Sequence, residues 1–161
     1  VAASVILFKK NKSFISKAVE IVTGCDVTHS AVLYDGDIFD ASELRGDFGR
    51  AKIKKLKNRK VEVYNLGASE QIMQTWLIKH GGKKYDYSGV LQWFLFWSFG
   101  RFFKNSRLNQ KKKVYCFEAT ANLVSKVTKL KFPQNVSGCH LRRTMGKPVF
   151  SGKLDEFLEN A

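Results

Sequence analysis

The sequence predicts one α+β domain over residues 1–161, a small antiparallel sheet packed against helices. Three observations carry this prediction. Two strand-like runs, 29–34 and 37–42, flank Asp35-Gly36, the dipeptide that best suits a two-residue type I′ turn. Two runs with apolar residues at helical spacing open on serines, Ser13 and Ser69, whose side chains can cap a helix. The chain has 161 residues, 44% apolar and 26% charged, the length and balance of a single globular core, which excludes disordered, collagen-like and coiled-coil chains.

Each element follows from its local pattern. Residues 4–8 are a short apolar run fit for a buried strand. Ser13 caps a helix through Val22, with Phe14, Ile15, Ala18, Val19 and Val22 at helical spacing, and Gly24 stops it. After the hairpin, residues 60–66 alternate as a third strand, and Ser69 opens a helix that ends at His80 before Gly81-Gly82. Residues 88–103 read as a mostly apolar helix, 105–113 as a polar, basic connection, and 115–130 as a further helix, closed by Pro133. The tail after Gly138 shows no assignable pattern. No internal repeat and no long linker divides the chain.

Charge is the unusual feature. With 28 Lys and Arg against 14 Asp and Glu the chain carries +14, which implies an anionic partner: nucleic acid, membrane headgroups or a cell-wall polymer. The N-terminal apolar run lacks a preceding basic region and a small-residue cleavage pattern, so no secretory signal is expected. The apolar stretch 90–103 is interrupted by Gln92, Ser98, Gly100 and Arg101 and is shorter than the ~20 residues that span a bilayer. Three cysteines, Cys25, Cys116 and Cys139, are too few for a disulfide scaffold. Free thiols, a cytoplasmic location and a monomer are the corresponding expectations.

The chemistry centres on Cys116. At the first turn of its helix, unpaired backbone amides and the positive end of the helix dipole stabilise a thiolate. Cys116, Ala119, Thr120, Leu123, Val127 and Leu130 share one face, so the sulfur points toward the protein body. A small buried hydrophobe is the bland alternative. In the hairpin, Tyr34 should pair with Asp37, Leu33 with Ile38, Ala31 with Asp40 and His29 with Ser42. His29 and Asp40 then lie diagonally on one face, within reach of a carboxylate-to-imidazole hydrogen bond, while Glu43 faces the other way. A carboxylate behind an imidazole fixes its tautomer and stabilises its charged form, which suits a base for a thiol; a surface histidine beside an ordinary aspartate is the alternative.

Thr28-His29-Ser30, the run Asp37-Ile38-Phe39-Asp40-Ala41, the strand 61–66, Lys84-Tyr85-Asp86-Tyr87 and Val114-Tyr115-Cys116-Phe117-Glu118 resemble, in this order, the YiiX-like branch of the NlpC superfamily of cysteine hydrolases. The resemblance covers residues 4–130. It implies a circularly permuted papain-like fold with Cys116 as nucleophile, His29 as base and Asp40 as orienting acid. No cofactor or metal is expected. The resemblance also places Tyr85 and Tyr87 near the cleft, where they, with Tyr115 beside the cysteine, are expected to contact substrate; packing tyrosines with hydroxyls at the edge of the core are the alternative. Two positions depart from the pattern: the acid, commonly Glu, is Asp40, and the residue after the cysteine, commonly Ser, is Phe117.

The expected function is therefore hydrolysis of an amide bond, with a cell-wall peptide as leading substrate class by family analogy. Other signals support rivals. Lys52, Lys54, Lys55, Lys57, Arg59 and Lys60 crowd one stretch fit for a phosphate-binding face. Trp93, Phe94, Phe96, Trp97, Phe99, Phe102 and Phe103, with Arg101 and Lys104, fit a membrane interface and hence a lipid-directed acyl hydrolase or acyltransferase. Cys25 with His29, and Cys139 with His140, raise a zinc site without the usual CxxC spacing. His80 reads as a helix C-terminal residue whose partial positive charge is favourable.

Overall fold

A computed structural model describes residues 3–99, 113–133 and 135–160. The chain runs β1 (Ala3–Lys9), α1 (Phe14–Thr23), β2 (Val27–Tyr34), β3 (Asp37–Ser42), β4 (Asp47–Arg50), a 3₁₀ turn (Ile53–Lys55), β5 (Lys60–Leu66), α2 (Glu70–His80), β6 (Lys84–Tyr85), α3 (Tyr87–Phe99), β7 (Lys113–Val114), α4 (Cys116–Thr128), α5 (Gly138–Met145), β8 (Phe150–Lys153) and α6 (Leu154–Asn160). The described strands form one eight-stranded sheet in the order β7-β6-β4-β3-β2-β1-β5-β8. Every neighbouring pair is antiparallel except β6 with β7. The sheet is thus larger than expected, because β4, β6, β7 and β8 are only two to four residues long and show little alternation.

Strand β1 lies in the middle, between β2 and β5, and is buried on both faces. Val5 and Leu7 enter a core with Met73, Trp76, Leu123 and Val124 of α2 and α4, while Ile6 and Phe8 enter a second cluster closed by Leu154. This double burial explains the unbroken apolar run, since alternate side chains leave a strand on opposite faces. Ser13 caps α1 by accepting from the Ser16 amide at 3.2 Å, and Ser69 does the same for Ile72 at 3.3 Å. The hairpin turn forms at Asp35-Gly36 with φ of 51° and 77°, the left-handed pair that a type I′ turn needs.

The expected hairpin ladder stops early. Tyr34 faces Asp37, Leu33 faces Ile38 and Val32 faces Phe39, after which β3 pairs outward with β4, setting Asp40 opposite Gly49. His29 instead lies opposite Phe8 of β1, and a bulge at Thr28 follows before Val27 meets Lys9. The unassigned tail folds into α5, β8 and α6. The end of the long apolar helix, 100–103 with Arg101, Phe102 and Phe103, and the basic connection up to residue 112 lie outside the described residues, while the connection's last residue, Lys113, begins β7.

The cysteine expectation is overturned. Cys25 and Cys139 form a disulfide across 114 residues, with Cα atoms 6.0 Å apart, leaving Cys116 as the free thiol. The same bond removes both cysteines from the zinc reading. Gly138 makes this approach feasible: a Cβ there would stand 2.3 Å from Val27 Cγ1 and 2.9 Å from the Val27 carbonyl oxygen, so any larger residue would push α5 off β2. No described helix is long and apolar enough to cross a membrane.

Candidate active site

His29 and Asp40 meet as their positions on neighbouring strands imply. His29 Nε2 donates to Asp40 Oδ2 at 2.8 Å, with side-chain exposures of 16% and 5%. The bulge beside His29 bends β2 between the His29–Phe8 and Val27–Lys9 pairs. Phe8 packs against the imidazole, ring centres 5.4 Å apart, and fixes its plane.

Asp40 is held from behind by a residue the sequence did not single out. Arg45, in the turn between β3 and β4, donates through Nη2 to the Asp40 carbonyl oxygen at 2.7 Å and to the Gly49 carbonyl oxygen at 3.2 Å, while its Nε donates to Asp47. The same Nη2 lies 3.1 Å from Asp40 Oδ1, close enough for charge pairing but not aligned as a hydrogen bond. The guanidinium thus ties the acid to its own turn, offsetting the shorter reach of Asp at this position. Burial raises the Asp40 carboxyl, but the His29 hydrogen bond and charge, with Arg45, hold it below its ordinary value.

Cys116 begins α4 beyond Tyr115, an N-cap that makes no side-chain capping bond to the helix. At a helix start the positive end of the dipole favours a thiolate over a thiol. One turn on, Thr120 Oγ1 shares a buried 2.9 Å hydrogen bond with Ser30 Oγ of β2, adjacent to His29. That link sets the cysteine helix against the histidine strand, and Cys116 and His29 border the same cleft. Burial pushes His29 down, but the Cys116 charge and the Asp40 hydrogen bond outweigh it and raise His29 to about 10. Both neighbours thus favour the protonated imidazole over the neutral one.

These three residues border a cleft of about 150 Å³, whose walls include Tyr85, Tyr115, Val90 and Phe94. Tyr85 is buried, and β6 holds it beside the cysteine through its pairing with Val114. Burial first, then the Cys116 charge, push Tyr85 ionisation well upward, so it remains a phenol. Tyr115 is buried on the wall, and burial raises it likewise. Tyr87 is not part of the wall; it is largely exposed and its hydroxyl donates to the Glu43 carbonyl oxygen at 2.6 Å. Glu43, expected to face away, lies past the end of β3 and borders the cleft.

His80 ends α2 as expected, but it does not carry the partial positive charge expected there. It packs against Phe48 and Trp76, donates from Nε2 to Asn122 Oδ1 at 3.2 Å, and burial pushes it down to about 4, so it is a neutral core residue. Among the described residues no group of three or more His, Cys, Asp or Glu is arranged to hold a metal ion.

Fold and site together define an α+β protein with a cysteine, a histidine and an aspartate gathered at one cleft. No family model and no curated protein matches the chain. Its structure is similar to the crystal structure of metalloprotein YiiX from Escherichia coli O157:H7, with a TM-score of 0.53 and 19% identity, covering 80% of this chain and 67% of that one. The likeness shows a YiiX-like fold.

Proposed function

We propose that the chain is a cysteine hydrolase of permuted papain-like type that cleaves an amide bond. The observation that carries this reading is that Cys116, His29 and Asp40 border one cleft, with His29 bonded to Asp40 at 2.8 Å and its protonated form favoured by both neighbours. The Cys116 thiolate attacks the carbonyl carbon and forms the C–S bond. His29 passes its proton to the departing nitrogen as the C–N bond breaks. Water then attacks the thioester carbon, His29 takes its proton, and the C–S bond breaks to return the thiolate. The Cys116 backbone N–H is one oxyanion donor, and the Tyr85 phenol, which also lines the cleft, is suited to be the second.

YiiX is described as a metalloprotein, but this chain offers no fitting donor cluster among the described residues, so no step passes through a metal. The apolar wall residues Ile15, Val90 and Phe94 also favour a second reading, in which the bond cut belongs to a lipid acyl group. A panel of p-nitroanilide amides and p-nitrophenyl acyl esters of varied chain length tests both. Wild type should turn over one class, and Cys116→Ala or His29→Ala should lower its kcat/KM by about 10²-fold or more. Retained turnover in both variants would overturn the assignment. A nucleic-acid binder would tolerate both changes and lose affinity steeply with salt.

A further inference from the structure

The mouth of the cleft is ringed by large apolar side chains that project into solvent. Phe14 is 85% and Ile15 49% exposed at the start of α1, Leu44 is 87% exposed in the turn after β3, and Leu91 is 61% exposed on α3. They belong to one rim: Ile15 and Leu44 line the cleft directly, Phe14 adjoins Ile15, and Leu91 stands one turn before Phe94, another wall residue. The Tyr87 hydroxyl bonded to the Glu43 carbonyl ties α3 to the turn that carries Leu44. Exposed lysines alternate with these side chains: Lys12 and Lys17 beside the start of α1, and Lys55 and Lys57 on either side of Leu56, which also lines the cleft. Asp40 and Glu43 are the only acids on the wall among the described residues, and Asp40 is already neutralised by His29 and Arg45.

We propose that this rim docks on an anionic lipid bilayer, with Phe14, Ile15, Leu44 and Leu91 entering the interface and Lys12, Lys17, Lys55 and Lys57 meeting the headgroups. Two physical arguments select a bilayer. Lysine is depleted where proteins bury surface against one another, whereas apolar residues bordered by lysine are the composition of interfacial membrane binding. The apolar groups are also isolated prongs on separate elements, suited to a soft surface. The net charge of +14 adds attraction to acidic lipids. Docking in this way faces the opening of the cleft to the bilayer. The inference concerns the surface and holds whether or not Cys116 turns over a substrate.

Co-sedimentation of the full chain as Cys116→Ser tests it without turnover, using vesicles of phosphatidylcholine alone or mixed with phosphatidylglycerol. The expected result is strong binding to the mixed vesicles and weak binding to the neutral ones. Leu44→Asp and Leu91→Asp should each weaken binding about tenfold, as a leucine withdrawn from the interface implies. Ile78→Asp, altering an equally exposed residue of α2 away from the cleft, should bind as the parent does. A melting curve checks folding, and Leu44→Ser replaces any aspartate variant that fails it. No binding to mixed vesicles, or equal losses at Leu44 and Ile78, would overturn the docking surface. Undiminished binding by the folded rim variants would do so too, leaving only diffuse charge attraction.

Discussion

Replacing Asp40 by Asn removes the charge behind His29 while keeping its size and one acceptor oxygen. The lost contact is a charge-assisted hydrogen bond of 2.8 Å in a site only 5% exposed at the carboxylate. Such bonds contribute about 1.5–3 kcal/mol, and 1.36 kcal/mol corresponds to one pKa unit, so His29 should fall by about 1–2 units. Because Cys116 is the larger raising influence, Cys116→Ser should lower it further than Asp40→Asn does. NMR titration of the imidazole ring reads this without a substrate. His29 is the histidine expected to titrate far above neutrality, since burial lowers both His80 and His140. The wild-type inflection should lie near 10. The sign for stability follows: a raised histidine adds stability fully present below its unfolded value of ~6.5 and lost as pH rises through about 10. Asp40→Asn should lose part of that increment at neutral pH. A wild-type inflection near the ordinary value, or one unchanged by Asp40→Asn, would refute the proposed relay of charge.

Arg45→Met should raise the Asp40 pKa and loosen its turn, lowering kcat about tenfold with little change in KM and moving the acid limb of the pH profile upward, as loss of one charge-assisted contact implies. Arg45→Lys, which keeps the charge, should recover the pH profile but only part of the rate; an unchanged profile in Arg45→Met would remove Arg45 from the site. Reduction of Cys25–Cys139, or Cys25→Ser, should cost ~2–4 kcal/mol in denaturant unfolding, because the bond closes a long loop. Equal stability with and without reductant would contradict the cross-link.

The parts legible in the sequence were those encoded locally. Asp35-Gly36 fixed the turn and its first three strand pairs, which set β3 beside β2, because a two-residue turn leaves little freedom of register there. The serine caps and the cysteine at a helix start were equally local. What stayed hidden depends on distant chain segments. Strands β4 and β8 acquire their structure from neighbours across the sheet, and the bulge at Thr28 arises from how β2 meets β1. Arg45 sits in a turn whose significance appears only once β4 has folded back beside Asp40. The disulfide needed Gly138 to lie against Val27, a contact between elements far apart in sequence. His80 ends its helix as the sequence implied, but its neutral state was hidden because that helix end is covered by Phe48 and Asn122 rather than open to water.

The cross-link between Cys25 and Cys139 has a practical side. Of three cysteines in the chain, two are occupied by each other, so a thiol-directed reagent meets a single sulfur in the native protein. Counting adducts by intact mass thus surveys two things together: one adduct per molecule reports Cys116 alone, and the appearance of further adducts records how much of the population has opened its bridge.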